Sequence, residues 1–369
     1  MVVQLIDDPL SSNAEPHTEM ECVAVAVTIY DVARAAGVSA ATVSRAFSVP
    51  ELLRDTTLRR VLDTANGIGY RPSRAARGAP ATGATGNLGV IVPDVTNPFF
   101  PSVLKGVQAR AHEANYAVFL GNAEENPRAE VELVRAMARQ VDGVIICAPR
   151  MSPTEVREAL GRTRLVLVNR RVSGVPAVVM DNVGGMRQAI DHLAALGHRR
   201  IAYLGGPGTS WSNRERRRGL RRAPRHGMAV VEFGPFAPGF EAGVHGADLA
   251  LAAQLTAIIC YNDLMALGVL SRLADRGVRV PGEVSVLGFD DIPMAAMCSP
   301  ALSTVAIPQE QAGHKAVDLL VDLLGHGRDA DHDVSYAMAT QLTVRGSTAV
   351  PAGARLPTAP RPRRVARRR

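Results

Sequence analysis

Residues 28–47, TIYDVARAAGVSAATVSRAF, leave a chain few options. Thr28 stands where a helix N-cap belongs, and Asp31 follows three residues later, the spacing of a reciprocal capping pair. Val32, Ala33 and Ala36 recur at helical spacing. Gly37 ends the run, because the left-handed conformation at a helix C-terminus costs glycine nothing. Ser39 then caps a second helix predicted over residues 40–47, which buries Val43 and Phe47 and turns Ala40, Ala41, Ser44 and Arg45 outward. Two short helices about a glycine-containing turn form the helix-turn-helix pattern. Its second helix enters the major groove of double-stranded DNA, led by its N-terminal residues. The same pattern occurs in helical proteins that never touch DNA, so spacing alone leaves both readings open.

Charge bears on the choice once it is divided along the chain. The net charge is +7, but residues 352–369 hold seven Arg and no acid. The tail therefore carries the whole excess, and the rest has as many acidic as basic side chains, 35 of each. Within that neutral body, residues 27–80 hold eight Arg and four acids, a local net charge of +4. A locally basic helix-turn-helix segment is the footprint expected of phosphate contacts. The tail itself, a run of like charge, reads as disordered and solvated.

The 369 residues suggest two or three domains of roughly 100–200 residues each. No run approaches about 18 uninterrupted apolar residues, so no membrane span is expected. The N-terminal stretch lacks a basic segment ahead of an apolar one, which argues against a secretory signal. Cys22, Cys147, Cys260 and Cys298 lie far apart with no C-x-x-C pair, as befits reduced thiols in a cytoplasm.

Residues 1–26 are polar and without periodicity and read as a disordered arm. After the loop SVPELLRD a third helix, TTLRRVLDTANGIGY, is predicted to pack Leu58, Val61, Leu62 and Ala65 on the first two, capped by Asp55 or Thr56. Residues 73–86, rich in Ala, Thr and Gly, suit a linker. From residue 87 the rhythm changes. Short continuous apolar runs such as LGVIVPDV, DGVIICA and RLVLVNR alternate with helical stretches, and the cycle restarts near Asp181. Strands buried on both faces, alternating with helices, imply parallel, doubly wound sheets in two lobes. Residues 219–257 break the rhythm, with Pro224 interrupting a helix.

The segment VTIYDVARAAGVSAATVSRAF resembles the DNA-binding segment of the LacI/GalR family of bacterial transcription regulators almost residue for residue. VIVPDVTNPFF, MDNVGG, HLAALGHRRIAYLGGP, RERRRGL, NDLMALGVL and VSVLGFDDIP continue the likeness to about Ser347. The resemblance implies an N-terminal all-α helix-turn-helix domain, then a two-lobed α/β domain like the periplasmic binding proteins. Expected boundaries are 27–72 for the first domain, 73–86 for the hinge and 87–347 for the second. The first lobe takes about 87–182 and 307–335, the second about 183–306 and 336–347, and 348–369 is a basic tail.

The implied function is a repressor whose affinity for a DNA operator responds to a sugar or nucleoside-like effector, acting as a homodimer in the cytoplasm. Candidate DNA-facing residues are Thr28, Tyr30, Ser39, Ala40, Ala41, Thr42, Ser44, Arg45 and Tyr70, with Arg74, Arg77 and Ala79 in the hinge. In the family an apolar hinge residue, typically Leu, wedges into the minor groove. Ala79 stands there, between Gly78 and Pro80, so a short hinge helix and a weak operator kink are expected.

Candidate effector contacts lie at strand ends, where α/β folds bind ligands: Asn97, Phe99 and Phe100 after the first strand, Asn169 after LVLVN, and Asp290 after VSVLGF. Arg216 and Asp290 match the family's effector-contacting arginine and aspartate, and Asn169 matches a polar contact of the first lobe. Phe236 is the candidate stacking aromatic. Asn262 is either a ligand contact or simply the cap of the helix that follows. Arg216 has the alternative of a solvated basic run, and Phe99 and Phe100 that of hinge core.

No catalytic set accompanies these residues. Asp290 and Asp291 lack a nucleophile elbow, a P-loop or a Cys–His pair, so the expectation is a binding protein and not an enzyme. GGPG at 205–208 is too short for a dinucleotide loop, and no cofactor is expected. His192 and His198 flank a helix and read as a surface and a helix-end residue, not metal ligands. The rival from another class is a solute-binding protein of a transport system, which would need an export signal and no helix-turn-helix.

Overall fold

The computed structural model describes residues 27–70, 84–325 and 334–352. The chain forms two compact units, Met1–Thr82 and Gly83–Arg369.

In the first unit α1 (Ile29–Ala36) begins at Thr28, whose N–H and hydroxyl donate to Asp31 Oδ2 at 2.9 and 2.6 Å. It ends at Gly37, where φ is 65°. Helix α2 (Ala40–Ser48) begins at Ser39, whose Oγ accepts from the Thr42 N–H at 3.1 Å. A short 3-10 turn (Pro50–Leu52) leads to α3 (Asp55–Gly67). The expected cap of α3 is corrected: Arg54 is the N-cap, and its side chain makes no capping bond. Asp55 lies in the first turn, where a carboxylate favours the positive end of the helix dipole. Val32, Val43, Val61 and Ala65 close a small core.

The second unit starts with β1 (Asn87–Val92), α4 (Phe99–Glu113), β2 (Ala117–Asn122), α5 (Pro127–Met137) and β3 (Gly143–Cys147). Helix α6 (Pro153–Leu160), β4 (Arg164–Val168) and β5 (Ala177–Met180) follow. The chain then crosses to a second lobe with α7 (Asn182–Ala195), β6 (Arg200–Leu204), α8 (Trp211–Leu220), a 3-10 turn (Ala223–His226) and β7 (Ala229–Phe233). That lobe continues with α9 (Phe240–Ala252), β8 (Ala257–Cys260), α10 (Asp263–Asp275), β9 (Ser285–Asp290), α11 (Pro293–Met297) and β10 (Ser303–Ala306). It returns for α12 (Gln309–Gly325) and β11 (Ser335–Met338), and crosses a third time to β12 (Gln341–Thr343). The sheet orders are β11-β5-β4-β3-β1-β2 and β12-β10-β9-β8-β6-β7. Both are parallel except for the β10–β12 pair.

The continuous apolar runs are indeed strands buried on both faces: Leu88, Val90 and Ile91 of β1 and Val144, Ile145 and Ile146 of β3 are wholly inaccessible. Helices α4 and α12 meet backbone to backbone. A Cβ added at Gly106 would lie 1.9 Å from the Glu310 carbonyl oxygen, so nothing larger than glycine fits.

Three expectations change here. Residues 335–338 form β11, which pairs with β5 from Ser335 with Ala177 to Met338 with Met180, so the last crossing lies after residue 338 and not at 335. A four-residue edge strand has too little pattern to show which sheet it joins. Residues 221–256 are regular: Pro224 sits at the start of the 3-10 turn, and β7 and α9 follow. The second lobe also runs past residue 347, because Thr348 bonds to His192 and Ser303, and Ala349 N–H donates to Ser285 Oγ.

Candidate functional site

The helix-turn-helix unit presents an exposed face. Tyr30 is 69% exposed, and Thr28, Ser39, Ala41 and Arg45 are also exposed, with Thr42 and Ser44 half-buried. The hydroxyls of Ser39 and Thr42 are 2.9 Å apart and bonded to each other. Arg45 has no acidic partner among the described residues, which leaves its guanidinium available. Two candidates sit otherwise than expected. Ala40 packs partly against the helical core. Tyr70 is a core residue, 9% exposed, with its ring 5.8 Å from that of Phe47; aromatic burial outweighs exposure of its hydroxyl on this face. Arg74, Arg77 and Ala79 lie outside the described residues.

The second site forms where strand ends of both lobes converge. Asn97, Phe99, Phe100 and Asn169 of the first lobe and Arg216, Asn262 and Asp290 of the second line one cleft. Helix α8 positions Arg216: Ser212, Asn213, Arg216, Gly219 and Leu220 form its buried face. Arg216 is 2% exposed, with its guanidinium carbon over the Phe289 ring, 3.6 Å from its centroid. Its Nε donates to Asn182 Oδ1 at 2.9 Å, Nη2 to Asp290 Oδ1 at 3.2 Å, and Nη1 to the Tyr261 carbonyl oxygen. Asn182 passes the chain of bonds on, donating to Asn169 Oδ1 at 2.9 Å. The basic-run alternative for Arg216 is thus excluded by its burial. Asn262 is the cap of α10, Oδ1 accepting from the Met265 N–H, and it also lines the cleft, where Nδ2 donates to the Pro238 carbonyl. Phe99 and Phe100 meet edge to face at 5.1 Å and belong to both core and lining.

Backbone strain marks the same place. Ala148, Asn169 and Asp290, each at or just past a strand end, have φ of 43°, 55° and 115°. Non-glycine residues hold such angles only where their surroundings over-determine them, and such sites cluster at ligand clamps. Burial pushes the Asp290 carboxyl up to about 6, against the pull of Arg216. The cleft volume is about 20 Å³, room for about one water, so the lobes are closed on their own side chains.

Phe236 is placed otherwise than expected: it is half-buried against the second-lobe core and does not line the closed cleft, where Pro238 and Tyr261 stand. Reading from residues missed Tyr261, Asn182, Ser212 and the pair Arg150–Glu125. Arg150 Nε and Nη2 donate to the two Glu125 carboxylate oxygens at 2.6 and 3.0 Å, a bidentate contact at the cleft wall. The strand-end rule that found Asn169 after β4, applied to β3, would have reached Arg150.

Behind this pair Glu130 is fully buried, accepting from the N–H groups of Arg150 and Met151 at 2.8 Å. Burial raises its carboxyl to about 7, the hydrogen bonds and nearby arginines notwithstanding. A carboxyl raised on folding binds its proton more tightly in the native state. Its stabilising effect is full below the ordinary value of 4.5 and is lost as pH climbs through about 7. The melting temperature of the two-lobed unit should therefore fall from about pH 5 to about pH 8, and Glu130→Gln should flatten that slope. An unchanged slope in the variant would place the titration elsewhere.

Among the described residues no group of His, Cys, Asp or Glu could hold a metal ion. His198 is buried, bonding Thr256 through Nδ1 and Ser285 through Nε2, and His192 is half-buried against Thr348, not a surface residue. Among the described residues no helix is long and apolar enough to cross a membrane.

Residues 28–73 match the bacterial regulatory proteins of the lacI family, and residues 190–348 a periplasmic binding protein-like domain. The chain is similar to the HTH-type transcriptional repressor CytR of Escherichia coli (strain K12), 32% identical over 332 residues, covering 88% of this chain and 96% of that protein. Among solved structures it is similar to the transcriptional regulator CelR in complex with cellobiose, at 30% identity and a TM-score of 0.64, covering 87% and 99% of the two chains. The lac repressor dimer bound to operator and the anti-inducer ONPF shares the fold, with a TM-score of 0.77 at 24% identity over 88% of this chain and 100% of that one. A two-lobed binding domain alone would also suit a transport protein, but these relatives are regulators throughout their length. With its helix-turn-helix, its paired α/β lobes and full-length likeness to such regulators, the chain belongs to the LacI family and is a DNA-binding transcription regulator.

Proposed function

We infer that the protein is a repressor that binds its operator as a homodimer and releases or tightens its hold when a hydroxyl-rich effector, a sugar or nucleoside, enters the cleft. The observation that carries the effector reading is the convergence of Asn169, Asn262 and Asp290, at strand ends of two lobes, and Arg216, on the buried face of α8, on one strained, buried point. Planar amides, a guanidinium and a carboxylate beside the Phe99, Phe100 and Tyr261 rings are the groups that grip hydroxyls and a ring face. The cleft is closed, so an effector must select an open arrangement of the lobes and replace the Arg216 network with its own hydroxyls. One short recognition helix reads few base pairs, and two copies double the site. CytR is named a repressor, and CelR is complexed with cellobiose, which supports both halves of the reading.

Thermal-shift titration with cellobiose, ribose and ribonucleosides tests the effector class. A ligand bound only by the folded protein raises the midpoint with its concentration. Flat curves for all of them would refute the sugar or nucleoside reading.

A further inference from the structure

Helix α8 and its exit carry a second arginine cluster that the cleft does not use. Seven arginines fall between residues 214 and 225. Arg216 is spent in the cleft, whereas Arg214, Arg217, Arg218 and Arg221 recur at helical spacing on the opposite, exposed side. Arg218, Arg221, Arg222 and Arg225, with Arg187 and Val183 of α7, line a hollow of about 260 Å³. Carboxylates offset only part of this charge. Glu215 pairs with Arg218 at 2.7 Å and Asp191 with Arg222 at 2.6 Å. Among the described residues Arg187, Arg221 and Arg225 have no acidic partner, so five guanidiniums face two carboxylates.

The C-terminal dipole of α8 accounts for some basic residues in its last turn. It does not account for Arg187, which stands on α7, or Arg225, which stands on the 3-10 turn beyond. Like charges gathered around one concavity repel each other unless an anion lies between them. Guanidinium forks grip phosphate oxygens two at a time. A concave site this small takes a compact group whole, while a duplex needs an extended surface.

We propose that this hollow is a second ligand site, separate from the cleft, for a small multiply charged phosphate group such as a di- or triphosphate or a phosphate ester. The site does not depend on the effector reading of the cleft. Isothermal titration of the full chain with inorganic tripolyphosphate, at constant ionic strength, is the test. Saturable binding is expected, weakened at least tenfold in the Arg221→Ala/Arg225→Ala double variant and unaltered in Arg279→Ala, an exposed arginine elsewhere. The double variant should fold, since both side chains are exposed, and should hold its operator as tightly as the wild type. Binding unaffected by the double substitution would overturn the proposal, as would equal binding of sulfate. Loss of random-duplex affinity in the double variant would overturn it too, by making the patch a nucleic-acid surface.

Discussion

Replacing Arg216 with alanine is expected to abolish the response to effector at concentrations that saturate the wild type, while the operator is still bound. Arg216 joins Asn182, Asp290 and the Tyr261 carbonyl within the second lobe and, through Asn182, reaches Asn169 of the first, so its loss removes the cation at the centre of the cleft network. The substitution also leaves Asp290 buried without its cation. Breaking a buried pair from one side costs about 3–5 kcal/mol, and the Asp290 carboxyl, already raised by burial, should rise further. The DNA-binding unit has its own core and does not draw on this network. Operator binding followed by fluorescence anisotropy, with and without ligand, reads the result once circular dichroism confirms that the variant is folded. A variant that still responds at the wild-type ligand concentration would remove Arg216 from the mechanism. Arg216→Lys, which keeps the charge but loses the planar fork, should also fail to respond.

Arg45→Ala should weaken binding to the specific operator by about 1–3 kcal/mol, roughly 5- to 150-fold. The recognition helix opens with Ala40 and Ala41, which offer only apolar contact, such as to a thymine methyl. The Ser39 and Thr42 hydroxyls are bonded to each other. Arg45 is exposed on that helix and has no acidic partner among the described residues, so it carries much of the polar readout. The comparison that matters is specific against random duplex at the same salt. A selective loss marks a base contact, and an equal loss on both makes Arg45 a phosphate contact and ends the proposal.

Local chemistry determined much of this protein. The Thr28–Asp31 cap, the left-handed Gly37 and the Ser39 cap are contacts within a few residues, so the helix-turn-helix could be read directly from spacing. The wholly apolar strands were legible for the same reason, because burial on both faces leaves no polar alternation. Strand ends then pointed to Asn97, Asn169 and Asp290 and left Asn262 open between contact and cap, whereas Arg216 rested on the resemblance. Pattern failed where partners are far apart in sequence. Arg216 meets Asn182 and Asp290 across 34 and 74 residues, and nothing local separates it from its exposed neighbours Arg217 and Arg218. Tyr70, a DNA-facing candidate, turns inward against Phe47, and Phe236, the candidate stacking aromatic, lies half-buried against the second-lobe core. The short strand β11 declares its sheet only by pairing with β5. Hydrogen bonds and apolar periodicity act over a few residues and belong to the sequence. Which buried charges face each other across a cleft is settled only by three crossings of the chain and the docking of two lobes, and so belongs to the tertiary structure.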